Sequence, residues 1–294
     1  MSAPAFPRTL IPRATLRLQF HRDFTFDDAL AQVDYFAGLG VSHLYASPIF
    51  AARSGSTHGY DVVDPTRINL DLGGEKGLRR LVQALHERKM GLIVDIVPNH
   101  MALGDQNPWW CDVLLWGQHS PYASWFDIEW LGADPALHGK VLLPVLGKAY
   151  GELLRTGEIK LEAAAGRLHV VCPGNRLPLA PEDYVDVLGA AASSQLVQSI
   201  AAFRCVQEAA VQEARQACAA HAWSVFAQAL EDPAVQADVE AGLARFSAVT
   251  PEGAAALHEL LERQHYRLCD WRNAGDEINW RRFFEIGDLI GMRV

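Results

Sequence analysis

Apolar and polar residues alternate along the first part of the chain in a pattern that predicts strands and helices in turn. Residues 14–20 (Ala-Thr-Leu-Arg-Leu-Gln-Phe) alternate with a period of two, which is typical of a short strand. Thr25 precedes two acidic residues and then apolar residues at helical spacing, so it is a candidate N-cap. Gly38 and Gly40 are expected to end that helix, and residues 41–47 form a second strand pattern.

The same order of elements continues to about residue 100. Residues 49–72 are rich in Gly, Ser, Asp and Pro, so we expect a functional loop there rather than a core element. Residues 75–89 carry leucines and a valine on one helical stripe. Residues 92–97 are a short β-branched run that predicts a strand buried on both faces. A strand–helix–strand–helix–strand order indicates an α/β fold with a parallel sheet.

The pattern changes after this region, and we divide the chain into four parts. Residues 1–103 hold the repeating pattern, and residues 104–184 contain loops and short strands. Residues 185–264 are rich in Ala, Gln and Glu, and they predict an inserted group of helices separated at Pro233 and Pro251. Residues 265–294 form an aromatic and charged final segment.

Composition excludes several classes of partner and site. The net charge is −9 without a basic stripe, so neither nucleic acid nor a membrane surface is an expected partner. Residues 1–8 lack a signal-peptide pattern, and no apolar run reaches about 18 residues, so we expect a cytoplasmic protein. The five cysteines are scattered without CxxC spacing, which favours free thiols over disulfides or a metal site.

Two segments carry a resemblance to a known family. The first is His-Gly-Tyr-Asp-Val-Val-Asp-Pro at 58–65, and the second is Asp-Ile-Val-Pro-Asn-His at 95–100. A G-Y-D-x-x-D loop followed by a strand that ends in D-x-x-x-N-H resembles the α-amylase superfamily, glycoside hydrolase family 13. Residues 17–21, 42–48 and 107–110 are similar to the maltooligosyltrehalose synthases in particular.

The resemblance implies a fold and a reaction. The fold would be a (β/α)8 TIM barrel, with its first three βα units in residues 1–103 and a return towards the fourth strand in residues 265–294. The reaction is an isomerisation that converts the reducing-end α-1,4 bond of a maltooligosaccharide into an α,α-1,1 bond. It is retaining, with a nucleophilic Asp and a Glu as acid and base. The substrate is the expected partner, and the chemistry implies no cofactor and no metal.

The resemblance also assigns candidate site residues. His100 would contact a sugar hydroxyl, Tyr60 would stack on a glucose ring, and His58 and Asn99 would also bind substrate. Asp61 and Asp95 would support the site. In the family, the Asp at the position of Asp95 pairs with an arginine on the fourth strand, so we expect this carboxylate to lack its partner. A structural role stays open for these residues: His100 satisfied by backbone, Tyr60 buried under its loop, His58 bracing that loop, and Asn99 serving the architecture of the site.

The sequence departs from the family pattern in one respect. We find no G-x-R-x-D segment, so the nucleophile and the acid/base are expected beyond Val294 and the chain is expected to be inactive alone. Three explanations fit the absence of this segment: a fragment, a truncated gene, or a complementing chain that carries the rest of the barrel. Two other functions stay open, namely another α-amylase-type hydrolase or transferase and a non-catalytic glucan-binding pseudoenzyme. A final set of aromatic residues fits either an oligosaccharide groove or core packing: Trp109, Trp110, Trp116, Trp125 and Trp130.

Overall fold

A computed structural model describes residues 11–189, 194–284 and 286–294, so residues 1–8, which we examined for a signal peptide, lie outside it. The strands are β1 (Thr15–Leu18), β2 (His43–Ala46), β3 (Phe50–Ala52), β4 (Val62–Ile68), β5 (Gly91–Val94), β6 (His100–Ala102), β7 (Val141–Leu146), β8 (Lys160–Ala164), β9 (Arg167–Cys172), β10 (Asn175–Pro178), β11 (Tyr266–Asp270), β12 (Arg282–Phe283) and β13 (Ile286–Gly291). The helices are α1 (Phe26–Leu30), α2 (Val33–Gly38), α3 (Gly74–Glu87), α4 (Pro108–Trp116), α5 (Tyr150–Arg155), α6 (Tyr184–Leu188), α7 (Ser194–Glu208), α8 (Gln212–Ala229), α9 (Pro233–Ala244), α10 (Pro251–Glu262) and α11 (Ala274–Glu277).

The chain forms two compact units. The first unit extends to Gln106 and includes Asp288–Met292 and Val294, and the second comprises Asn107–Gly287 and Arg293. Within the parts of the chain that the structure covers, no helix is long and apolar enough to cross a membrane.

The first unit contains the parallel sheet that the sequence predicts. Its strands lie in the order β1-β2-β5, and both neighbouring pairs are parallel. The register aligns Leu18 with Ala46 and Ala46 with Val94, so the three strands end at the same level. The predicted βαβαβ order is therefore confirmed.

The third strand of this sheet differs from the sequence prediction. We expected residues 92–97 to be buried on both faces, but β5 ends at Val94 and is only partly buried. Ile96 is 60% exposed. The reason is position, because β2 occupies the centre of the sheet and β5 lies at one end of its strand order.

Helices α1, α2 and α3 cover one face of this sheet. Thr25 caps α1 as predicted, since Thr25 and Asp28 form a reciprocal capping box. The helix expected to run from there to Gly38 is divided into α1 and α2, with the break at Ala31 and Gln32. The helices and strands enclose a core of Phe20, Phe26, Ala29, Val33, Phe36, Leu44, Ala46, Ile49, Leu72, Leu81, Leu85 and Met90.

The connection over residues 49–72 is more regular than expected. It contains the antiparallel pair β3 and β4 and a short 3-10 turn at Leu70–Leu72. The longest irregular stretch of this connection is residues 53–61, which contains Tyr60. Strand β6, which begins at His100, pairs antiparallel with residues 289–291 of β13. The site segment at 95–100 thus ends in a strand rather than in an open loop.

The second unit contains small sheets and the predicted group of helices. Strands β8, β9 and β10 form an antiparallel sheet, and β7 pairs in parallel with β11. Pro233 and Pro251 occupy the first positions of α9 and α10, so the separation of helices predicted from those prolines is confirmed.

The expectation that all five cysteines are free thiols is wrong for two of them. Cys205 on α7 and Cys218 on α8 form a disulfide, with their Cα atoms 5.7 Å apart. The two helices are consecutive and pack against each other, which brings the two cysteines together. Scattered sequence positions gave no indication of this pairing, because it depends on how the helix pair folds back.

Candidate functional site

The candidate site lies where the parallel strands of the first unit end. Gln19, Ser47 and Asp95 each follow one of the three aligned strands β1, β2 and β5. Side chains at the carboxyl ends of parallel strands meet at one edge of a sheet, and this edge is where barrel enzymes place their active sites. Tyr60 reaches the same edge from the irregular segment between β3 and β4.

Asp95 is the centre of a hydrogen-bond network at this edge. Its Oδ2 accepts from the Tyr60 hydroxyl at 2.7 Å and from the Tyr45 hydroxyl at 3.2 Å. The Arg17 guanidinium lies 4.0 Å from the same oxygen, and the Asp95 side chain is 14% exposed. The expectation of an unpaired carboxylate is therefore wrong, because β1 supplies an arginine and two tyrosines donate hydrogen bonds.

Two residues of β1 and its extension, Arg17 and Gln19, hold the segment that carries Tyr60. Gln19 donates to the Thr57 carbonyl at 3.1 Å and to the His58 carbonyl at 3.4 Å. Arg17 donates to the Gln19 side chain at 2.9 Å and to the Tyr60 hydroxyl at 3.3 Å. We did not assign either residue from the sequence. The alternation in residues 14–20 could have indicated them, because Leu16 and Leu18 face the core and the polar residues Arg17 and Gln19 therefore face the other side of the strand.

The Tyr60 segment is fixed by a tight turn. Gly59 has a φ of +76°, and a Cβ there would lie 2.7 Å from the Pro48 carbonyl oxygen, so only glycine fits. Ser56 Oγ accepts from the Gly59 amide at 3.0 Å and donates to the Asp61 carboxylate. Asp61 thus lies inside the turn and accepts a hydrogen bond from the Ser56 hydroxyl group.

His58 lies on the outer side of the same turn. Its Nδ1 accepts from the Tyr60 amide at 3.0 Å, and its side chain is 53% exposed. The His58 and Tyr60 rings are nearly parallel, with an interplanar angle of 22° and centroids 6.0 Å apart. The two rings therefore form adjacent flat surfaces next to Asp95.

His100 lies behind Tyr60 and is almost fully buried, with 2% exposure. Its Nε2 is 3.0 Å from the Tyr60 carbonyl oxygen, and its Nδ1 is 2.9 Å from the side-chain oxygen of Asn99. Burial lowers the pKa of His100, against smaller opposite effects of the Tyr60 carbonyl and Asp61. The Tyr60 carbonyl can only accept, so Nε2 donates to it, and the unprotonated Nδ1 of the neutral ring then requires the Asn99 amide to present its NH2 group rather than its oxygen.

Tyr60 is consequently held at both ends. His100 bonds its carbonyl, and Asp95 accepts from its hydroxyl. The hydrogen bond to Asp95 also raises the pKa of Tyr60, so the hydroxyl stays protonated and remains a donor. Among the described residues, no group of three or more His, Cys, Asp or Glu is arranged to hold a metal ion.

Comparison with known proteins gives a partial family match and several relatives. Residues 27–152 match the model of the α-amylase catalytic domain. The chain is 51% identical over 153 residues to a putative maltooligosyl trehalose synthase of Mycobacterium tuberculosis, covering 49% of this chain and 20% of that protein. It is 40% identical over 98 residues to an intracellular maltogenic amylase of Bacillus subtilis, covering 33% of this chain and 16% of that protein.

Solved structures agree with these relatives over nearly the whole chain. The maltooligosyltrehalose synthase from Arthrobacter ramosus matches with a TM-score of 0.63 at 33% identity, covering 96% of this chain and 27% of that one. A second crystal structure of a maltooligosyl trehalose synthase matches with a TM-score of 0.64 at 29% identity, covering 96% and 28%.

The fold is α/β, and residues 27–152 are similar to the α-amylase catalytic domain. The chain is similar to the maltooligosyl trehalose synthases, so the resemblance seen in the sequence is confirmed. The chain spans about a fifth of the length of the Mycobacterium relative.

Proposed function

We propose that this chain is the N-terminal part of an enzyme that converts the reducing-end α-1,4 bond of a maltooligosaccharide into an α,α-1,1 bond. The observation that carries the proposal is the meeting of Tyr60, Asp95 and His100 at the carboxyl edge of a parallel sheet. The similarity to maltooligosyl trehalose synthases, which extends through both units, supports this reaction over others of the family.

In this proposal the residues that contact the substrate are Tyr60, His58, His100 and Asn99. Tyr60 and His58 present adjacent, nearly parallel rings that suit stacking on the C–H face of a glucose unit. His100 is buried behind Tyr60 and bonds its carbonyl, so it positions Tyr60 in addition to the sugar contact that the resemblance gives it. Asp95 and Asp61 support the site by fixing the Tyr60 hydroxyl and the turn before it.

The architecture proposed for the whole enzyme is a (β/α)8 barrel whose first three strands are β1, β2 and β5. Their parallel pairing and aligned ends support this assignment. We retain the division into a barrel part (1–103), a loop and short-strand part (104–184), a helical insertion (185–264) and a return segment (265–294). We also retain the proposal, which rests on the family resemblance, that the nucleophilic Asp and the acid/base Glu lie beyond Val294.

Incubation with maltopentaose tests the reaction. The proposed enzyme removes reducing ends without releasing an equivalent amount of glucose, because isomerisation conserves chain length. If this chain neither removes reducing ends nor releases glucose, calorimetry with maltopentaose decides whether the site binds the sugar. We expect Tyr60→Ala to abolish that binding and Tyr35→Ala to leave it unchanged, because Tyr35 is an exposed tyrosine outside the site. Equal binding by both variants would refute the site.

A second candidate function is hydrolysis by an amylase-type enzyme. The 40% identity to the Bacillus maltogenic amylase favours it for the first unit. The same incubation separates the two, since hydrolysis creates new reducing ends whereas isomerisation removes them.

A further inference from the structure

The tryptophans between residues 109 and 125 of the second unit divide into a buried and a surface set. Trp110 is 1% exposed and packs edge-on against Phe126 at a centroid distance of 5.4 Å. Trp116 is also buried. Trp109, adjacent in sequence to Trp110, instead faces a cluster at the surface, and Trp125 is 43% exposed. Burial in the core explains the first set and leaves the second set without an explanation.

The surface set forms a compact group with Tyr122, and we name Trp109, Tyr122 and Trp125 the aromatic platform. Trp109 and Tyr122 are stacked at 5.5 Å with an interplanar angle of 12°. Trp125 meets Trp109 edge-on at 4.9 Å and Tyr122 edge-on at 5.2 Å. Trp125 is exposed, and Trp109 and Tyr122 are half-buried, so part of the cluster is accessible. Clustered accessible apolar surface more often marks a binding site than a single exposed apolar residue does.

Backbone contacts hold each ring of the platform in place. Asn107 caps α4 and accepts from the Trp109 amide at 3.1 Å. Ser120 Oγ accepts from the Tyr122 amide at 3.1 Å, and the Tyr122 carbonyl accepts from the Trp125 amide at 3.0 Å. These hydrogen bonds fix the backbone under the rings, and the rings restrain one another, so less entropy is lost when a ligand binds.

Charged groups lie beside the platform on the same face. Exposure alternates along residues 125–129, so Trp125 and Asp127 face outward while Phe126 faces the core. The Asp127 carboxylate accepts from Arg281 at 2.6 Å and from Arg293 at 3.4 Å. The Arg293 amide donates to the Trp125 carbonyl at 2.8 Å. Hydrogen-bond donors and acceptors thus border the exposed ring.

We propose that the aromatic platform binds glucosyl units of an α-linked glucan. A pyranose ring has an apolar C–H face that fits a flat aromatic side chain, and hydroxyls at its edge that fit the Asp127–Arg281–Arg293 group. The choice of an α-linked glucan rests on the proposed function. The platform consists of residues of the second unit, whereas Tyr60 and His100 belong to the first unit.

The test uses the 294-residue chain in native gels containing glycogen, and calorimetry with maltoheptaose. We expect Trp125→Ala to weaken binding about tenfold, as loss of one aromatic contact of this kind would. Trp125→Phe retains a ring and should recover most of the affinity. The matched control is Trp271→Ala, which removes a more exposed tryptophan outside the platform and should leave binding unchanged.

The outcomes separate this inference from the proposed function. If the unaltered protein is not retarded by glycogen, or if Trp125→Ala and Trp271→Ala bind alike, the platform is refuted. Retardation lost in Tyr60→Ala but kept in Trp125→Ala would also refute the platform while the proposed function stands. Retardation kept in Tyr60→Ala and lost in Trp125→Ala supports the platform and argues against the Tyr60 site. If maltoheptaose and cellopentaose displace the protein from glycogen equally well, the assignment to α-linked glucans is overturned.

Discussion

The turn at Gly59 gives a stability prediction whose magnitude follows from the structure. Gly59→Ala places an L residue at a φ of +76°, which costs about 1–2 kcal/mol. The new Cβ would also lie 2.7 Å from the Pro48 carbonyl oxygen and 3.2 Å from the Pro48 Cβ. Relieving such an overlap requires a backbone shift, which costs a further ~1–3 kcal/mol. We therefore expect a loss of about 2–5 kcal/mol in the free energy of unfolding.

A matched substitution isolates the contact with Pro48. Gly55 lies in the same segment with a φ of +80°, but nothing lies within 4 Å of a Cβ added there. Gly55→Ala should therefore lose only the backbone contribution of about 1–2 kcal/mol. Urea denaturation, followed by circular dichroism, measures both variants. Equal free energies of unfolding for Gly59→Ala and Gly55→Ala would refute the reasoning, because the predicted difference comes entirely from the Pro48 contact.

Three further predictions concern hydrogen bonding, pH and the disulfide. Tyr60→Phe should lower the free energy of unfolding by about 1.5–3 kcal/mol, and Tyr45→Phe should lower it by less, because the Tyr45 hydroxyl lies farther from Asp95. The reverse order in urea denaturation would contradict the proposed hydrogen bonds to Asp95. Burial, with smaller effects of His119 and Lys140, lowers the pKa of His265 from 6.5 to about 4. The unfolded chain then takes up a proton that the folded chain does not, so stability should fall from pH 6.5 to about pH 4, and His265→Asn should make the stability–pH curve flatter over that interval. Cys205→Ala should lower the free energy of unfolding by about 3 kcal/mol in non-reducing buffer and by much less with dithiothreitol. A non-reducing peptide map that lacks the linked Cys205–Cys218 peptide would disprove the disulfide.

The candidate site was predicted in part from the sequence. The segments 58–65 and 95–100 predicted that Tyr60, Asp95 and His100 lie near one another, and the structure connects all three by hydrogen bonds. The contribution of Arg17 and Gln19 was missed, because each lies about 40 residues from its partner and alternation along a strand does not identify what the outer face contacts.

The sequence by itself determined the order of elements in the first unit and the ends of several helices. These features depend on neighbouring residues: a period of two in β1, the Thr25 capping box, and the prolines that begin α9 and α10. Such interactions extend over a few residues, so the local pattern contains the information needed to predict them.

Only the tertiary structure decided which residues become partners across the chain. It paired Asp95 with Arg17, joined Cys205 to Cys218, and buried Trp110 while leaving Trp125 at the surface. These outcomes depend on how strands align and helices pack, and the energy of each contact comes from groups far apart in sequence. The chemical nature of each side chain is therefore visible in the sequence, whereas its partner is set by the packing of the whole unit.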